Sequence, residues 1–118
     1  MYYNKDGENK ANGSVEFQLD GSTMRITIAG EFSISLAPEV RSIIKNGLDA
    51  GIALLVINLK RVEYIDSSGI GTLVMAMKGI NRVGGELKVI GVPEQVKKLL
   101  NFPPFTGTEH ITAEASCD

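Results

Sequence analysis

Two adjacent hydroxyls, Ser67 and Ser68, stand directly after Asp66 and before Gly69-Ile70-Gly71. An apolar run, Ile52-Ala53-Leu54-Leu55-Val56-Ile57-Asn58-Leu59, precedes them, and Ile70, Leu73, Val74, Met77 and Ile80 follow at helical spacing. The serines therefore fall where a buried strand gives way to a helix. The first turn of a helix carries unpaired N–H groups and the positive end of the macrodipole, so an anionic or phosphorylated group is held there without a dedicated basic pocket. One of the serines is thus a candidate phosphorylation site. A phosphate would add about two negative charges and three acceptor oxygens, altering the surface while leaving the domain folded. The structural alternative is that one serine caps the helix and the other is merely exposed. Asp66 is itself a candidate cap, the simpler role for it, since no second carboxylate stands at a spacing useful for a metal.

Other chemistries find little support. Gly69 and Gly71 lack the Lys-Ser/Thr ending of a phosphate-binding loop and the full dinucleotide fingerprint. Their simpler use is to let the strand end approach the helix closely, with Gly69 keeping the serine hydroxyls uncovered. His110 and Cys117 are the only residues of their types and lie near the C-terminus. They make neither a catalytic triad nor a structural zinc site, and no internal disulfide. No cofactor or metal is expected, and no catalytic constellation can be assembled around the turn.

The flanking sequence supplies the elements that must position the serines. Residues 1–13 are polar and aperiodic and read as a tail. Val15, Phe17 and Leu19 alternate, and after Asp20-Gly21-Ser22 the pattern resumes over Met24-Arg25-Ile26-Thr27-Ile28-Ala29, a hairpin with one buried side. Gly30-Glu31-Phe32-Ser33-Ile34-Ser35 reads as a loop. Leu36, Val40, Ile43, Ile44 and Leu48 then form one helical stripe, with Ser35 as N-cap, Pro38 in the first turn and Gly51 as the stop. The run from Ile52 to Leu59 is apolar on both faces, as a central parallel strand is, and it exits through Lys60-Arg61-Val62-Glu63-Tyr64-Ile65.

Gly84-Gly85 ends the helix that the serines begin. A fourth strand, Glu86-Leu87-Lys88-Val89-Ile90-Gly91-Val92, leads to a third helix that starts at Pro93 and turns Val96, Leu99 and Leu100 inward. Phe102-Pro103-Pro104-Phe105 forbids its continuation, and a short last strand is expected around His110-Ile111-Thr112. Met24, Met75 and Met77 read as core or near-core filler, and Lys78, Arg82, Lys97 and Lys98 as solvated faces. The order is that of an α/β layer built from successive crossovers. Right-handed crossovers wound steadily in one direction would put every helix on one face of the sheet.

Bulk properties narrow the partners. At 118 residues and 43% hydrophobic content the chain has the makings of one globular domain with its own core. Twelve basic against fourteen acidic residues give a net charge of −2, which argues against nucleic acid or anionic lipid as a partner held by a general field. No apolar run reaches membrane-spanning length and the first residues lack a secretory signal, so membrane insertion is not expected and the cytoplasm is the expected compartment.

This combination resembles the STAS family, named for sulfate transporters and anti-sigma factor antagonists, and in it most of all the free-standing bacterial antagonists. Three features carry the resemblance: Leu55-Val56-Ile57-Asn58-Leu59 followed by Asp66-Ser67-Ser68-Gly69-Ile70-Gly71, the turn Gly84-Gly85-Glu86-Leu87-Lys88-Val89, and Gly30-Glu31-Phe32. The resemblance implies a single STAS-like α/β domain over residues 14–112. Its sheet would be mixed and mostly parallel, with an N-terminal β-hairpin and helices packed mainly on one face. Residues 113–118 would form a C-terminal tail.

It also implies a binding module rather than an enzyme, a switch protein whose unmodified form binds an anti-sigma factor that is a serine kinase, freeing the sigma factor. Phosphorylation at Ser67, with Ser68 as second choice, would end that binding, and a serine phosphatase would reset it. Ser33, Asp66, Ser67, Ser68, Gly69, Ile70 and Gly71 would form the partner-binding surface. Ser33 departs from the family, which usually has an acidic residue there. The alternative role is an accessory subunit of a membrane transport system, since STAS domains also occur attached to anion transporters.

Overall fold

Alternation dictates the first two strands. In the computed structural model, which describes residues 12–99 and 111–114, β1 (Gly13–Asp20) and β2 (Thr23–Phe32) pair antiparallel, with Val15 opposite Ile28, Phe17 opposite Ile26 and Leu19 opposite Met24. Each pair points to one side of the sheet, as the period of two requires. Val15, Met24, Ile26 and Ile28 are buried, whereas Phe17 and Leu19, on the edge strand, are about half exposed. The expectations for residues 1–11, Leu100, Phe102-Pro103-Pro104-Phe105, His110 and residues 115–118 with Cys117, and for the Lys98 and Leu99 side chains, lie outside the described residues.

Strand β3 (Leu54–Ile65) pairs in parallel with β2 on one side and with β4 (Glu86–Ile90) on the other, and β5 (Ile111–Glu114) joins β4 in parallel. The sheet order β1-β2-β3-β4-β5 is the chain order. With right-handed crossovers that order places α1 (Ala37–Asp49), α2 (Ser67–Arg82) and α3 (Glu94–Leu99) on one face. Ile26, Ile57 and Leu87 from the sheet meet Ile44, Leu73 and Ile80 from the helices in one core. The mixed, mostly parallel sheet with its N-terminal hairpin is as expected. So are the methionines, with Met24 and Met77 buried and Met75 packed against the core.

Three local expectations are corrected. Gly30-Glu31-Phe32 is not a loop but the end of β2, and residues 60–65 are not an exit segment but a continuation of β3. The reason is a pair of bulges. Thr27 pairs with Asn58 but Ala29 with Arg61, and Gly30 pairs with Val62 but Glu31 with Tyr64, so β3 twice carries one residue more than β2. Each extra residue flips the alternation, moving the inward position from Leu59 to Val62 and then to Ile65. Asn58 Oδ1 accepts the Lys60 N–H at 2.9 Å and holds the first bulge.

The third correction concerns α1. Its N-cap is Leu36 rather than Ser35, with no side-chain cap, and the Ser33 carbonyl accepts the N–H groups of Leu36 at 2.9 Å and Ala37 at 2.8 Å. Pro38 sits in the first turn as expected. Gly51 at φ 89° and Gly84 at φ 77° follow the two long helices in the left-handed conformation that suits a helix end.

Candidate functional site

Parallel pairing delivers two distant segments to one place. Phe32 and Ile65 are partners at the ends of β2 and β3, so Ser33 and Asp66 leave the sheet side by side, about one strand spacing apart. The Asp66 N–H donates to the Phe32 carbonyl at 3.3 Å and extends the pairing by one step. Register alone therefore brings Ser33 to the Asp66-Ser67-Ser68 turn.

Asp66 caps α2. Its backbone is extended, at φ −110° and ψ −171°, and its Oδ1 accepts the N–H groups of Ser68 at 2.8 Å and Gly69 at 3.1 Å. Two of the orphan donors of the first turn are thereby satisfied by one carboxylate oxygen. Of the alternatives open in the sequence, the aspartate is the cap and the serines are not. Ser67 is exposed, Ser68, Ile70 and Gly71 are half-buried, and Gly69 is buried.

The two glycines do different work. A Cβ on Gly69 would lie 2.5 Å from the Phe32 carbonyl oxygen and 2.6 Å from Ile65 Cγ1, so only glycine lets α2 seat against the ends of β2 and β3. A Cβ on Gly71 would meet only the Arg41 guanidinium, at 3.5 Å. The close-approach role expected of both belongs to Gly69 alone.

Two residues that sequence reasoning missed complete the turn. Thr72 is fully buried, its hydroxyl donating to the Ser68 carbonyl at 2.9 Å and accepting from Arg41 Nε at 3.1 Å. Arg41 reaches over from α1, and its Nη2 also approaches the Ser68 carbonyl at 3.5 Å. The four-residue spacing of Ser68 and Thr72 was a readable signal for the first contact. Arg41 lies off the apolar stripe of α1 and reads as one more solvated cation, so nothing local marked it. Ile34, which follows Ser33, and Tyr64, which precedes Ile65, were also missed; they are 67% and 50% exposed. Large apolar side chains left in water beside the turn are the residue types that anchor protein contacts.

Between the later parts of α1 and α2 runs a groove of about 540 Å³, floored by Leu48, Val74 and Met75, rimmed by Lys45, Lys78 and Arg82, and reaching Gly71 at one end. Among the described residues no group of three or more His, Cys, Asp or Glu is placed to hold a metal ion, and no helix is long and apolar enough to cross a membrane.

Comparison with known proteins places this architecture. The sequence matches the STAS domain over residues 14–112. The chain belongs to the STAS domain family. A protein of Staphylococcus aureus named anti-sigma-B factor antagonist is 24% identical over 100 residues, covering 85% of this chain and 93% of the relative. The fold is also that of SpoIIAA, an anti-sigma factor antagonist. Its unphosphorylated form superposes with a TM-score of 0.73 at 17% identity, covering 88% of this chain and 89% of that one. The phosphorylated form, from Bacillus, gives 0.72 at 18% identity, covering 84% of this chain and 89% of that one. In this STAS domain the turn from Asp66 to Gly71 is the point where the exposed hydroxyl, the cap and the neighbouring loop meet.

Proposed function

We propose that this chain is a phosphorylation-switched anti-sigma factor antagonist of the bacterial cytoplasm. Its unmodified form binds an anti-sigma factor that is also a serine kinase, and so releases the sigma factor. The observation that carries this reading is the exposed Ser67 in the first turn of a helix that Asp66 already caps, which leaves the hydroxyl with no structural duty. The naming of the Staphylococcus aureus relative as an anti-sigma-B factor antagonist supports the same role. Solved phosphorylated and unphosphorylated forms of SpoIIAA support a switch by modification.

In this reading the chain supplies the substrate hydroxyl and the kinase supplies the catalyst. In the kinase site, Ser67 Oγ attacks the terminal phosphorus of a nucleoside triphosphate. The new O–P bond forms as the bond to the nucleoside diphosphate breaks, and the hydroxyl proton passes to a base of the kinase. A serine phosphatase reverses the state by hydrolysis. Ser33, Asp66, Ser68, Ile70 and Gly71 form the docking surface around Ser67, with Ile34 and Tyr64 as apolar anchors at its edge; Gly69, expected in that surface, is buried against the strand ends and serves to seat the turn.

Phosphate next to the Asp66 carboxylate concentrates negative charge on a surface that docks a neutral hydroxyl, and unfavourable charge placement at an interface costs several kcal/mol. Titration calorimetry of the cognate kinase against the chain, with and without phosphoserine at position 67, tests this. The expected loss is at least about 2 kcal/mol, roughly thirtyfold in affinity. Equal affinities would remove the switch. Ser67→Ala is expected to bind and resist modification, whereas loss of modification only in Ser68→Ala would transfer the role to Ser68.

A further inference from the structure

We propose that Arg41 binds the phosphate carried by modified Ser67, giving up its contacts with Thr72 and the Ser68 carbonyl to do so. The inference rests on Ser67 as the modified residue, and it adds a phosphate-positioning residue from a different helix. Arg41 is an exposed residue of α1, yet its guanidinium lies across the first turn of α2, on Thr72 and the Ser68 carbonyl. Among the described residues no carboxylate is paired with it.

Gly71 bounds the distance. Its absent Cβ would stand 3.5 Å from Arg41 Nη2. Ser67 precedes Gly71 by four residues, and side chains at that spacing on a helix stand about 5–6 Å apart at Cβ. A phosphate projects beyond the serine Cβ by the Cβ–O, O–P and P–O bonds and spans part of that gap, and rotation of the serine and the long arginine side chain closes the rest. A side chain at Gly71 would stand between the two groups.

The exchange favours the phosphate. Thr72 keeps its donor bond to the Ser68 carbonyl when Arg41 leaves, so no buried hydroxyl is orphaned. Arg41 gives up one neutral acceptor at 3.1 Å and a long contact at 3.5 Å. It gains a doubly charged acceptor suited to its planar fork, so that a bond from a cation to a neutral hydroxyl gives way to an ion pair open to bidentate geometry. Asp66, beside Ser67, repels the phosphate, and Lys45, one turn further along α1, adds a more distant positive charge. The modified form thus holds its phosphate against α1.

The test is a phosphorus-31 NMR titration of the full chain carrying phosphoserine incorporated directly at position 67. A guanidinium contact favours the dianion, so Arg41→Gln is expected to raise the second pKa of the phosphate by about half a pH unit, roughly threefold in proton affinity. Thr72→Val, which removes the competing acceptor and leaves the guanidinium, is expected to leave that pKa at or below the parent value. A purely structural Arg41 would change stability and leave the phosphate unmoved. An equal or lower pKa in Arg41→Gln, or a raised one in Thr72→Val, overturns the proposal. If Arg41→Gln fails to fold, Arg41→Lys replaces it with an expected rise of smaller size, and an unchanged value again overturns the contact. The titration needs neither kinase nor anti-sigma factor. Its failure is therefore distinct from a failure of the switch, which the binding experiment reads.

Discussion

Both long helices start just beyond the paired ends of β2 and β3, and they meet the same demand in opposite ways. Helix α1 is reached through a turn in which the Ser33 carbonyl takes the N–H groups of Leu36 and Ala37, and no side chain caps it. Helix α2 begins one residue after its strand, because the Asp66 carboxylate takes the N–H groups of Ser68 and Gly69. Backbone capping requires several residues of turn and leaves the hydroxyls of Ser33 and Ser35 to each other, at 3.4 Å. Side-chain capping collapses the turn to one residue and delivers Ser67 to the surface without a task. The shorter junction is therefore the one that can carry a modifiable group at a fixed position.

The largest expected effect tests how tightly that short junction is built. Gly69→Ala places a methyl 2.5 Å from the Phe32 carbonyl and 2.6 Å from Ile65. Lifting α2 off the strand ends is expected to cost about 2–3 kcal/mol in urea unfolding. Gly71→Ala is the control, since it meets only the Arg41 guanidinium at 3.5 Å. There the better helix propensity of alanine is expected to make the change neutral or stabilising by up to about 1 kcal/mol. Similar costs at both positions would mean that the helix, rather than its seat on the sheet, responds to the substitution.

Next in size is the cap itself. Asp66→Ala removes an acceptor shared by two N–H groups and is expected to lower stability by about 1–2 kcal/mol, measured by the same unfolding. Asp66→Asn keeps an acceptor oxygen and is expected to recover most of the loss. If both substitutions cost the same, the charge of the carboxylate rather than its hydrogen bonds supports the helix start.

These contrasts also explain what the sequence made readable. Strands and helices with unbroken periodicity, such as Val15 to Leu19 or Ile70 to Ile80, were visible because one period ran through each. The second half of β3 was not, since two bulges reset its alternation between Leu59 and Ile65 and made a paired strand resemble a polar connector. Residue type marked the turn from Asp66 to Gly71, yet it left three candidates for one cap. Only backbone direction selects among them, and Asp66 is the residue with the extended conformation that a cap needs. Arg41 was invisible for a different reason. Its role depends on the packing of α1 beside α2, and a cation on an exposed helix face has the same local signature whether or not a neighbouring helix receives it.

The smallest expected effect completes the comparison between the helix starts. Ser35 has the residue type and position of an N-cap, and a serine that caps is worth about 1 kcal/mol when replaced by alanine. In the fold, Leu36 occupies that place and the Ser33 carbonyl accepts the first N–H groups, while the exposed Ser35 hydroxyl meets only Ser33 Oγ at 3.4 Å. Ser35→Ala is therefore expected to change stability by no more than about 0.5 kcal/mol, as for surface substitutions away from such features. A loss near 1 kcal/mol would restore Ser35 as the cap in solution. It would also make the two helix starts alike, and Ser67 would no longer be distinguished by the device that frees it.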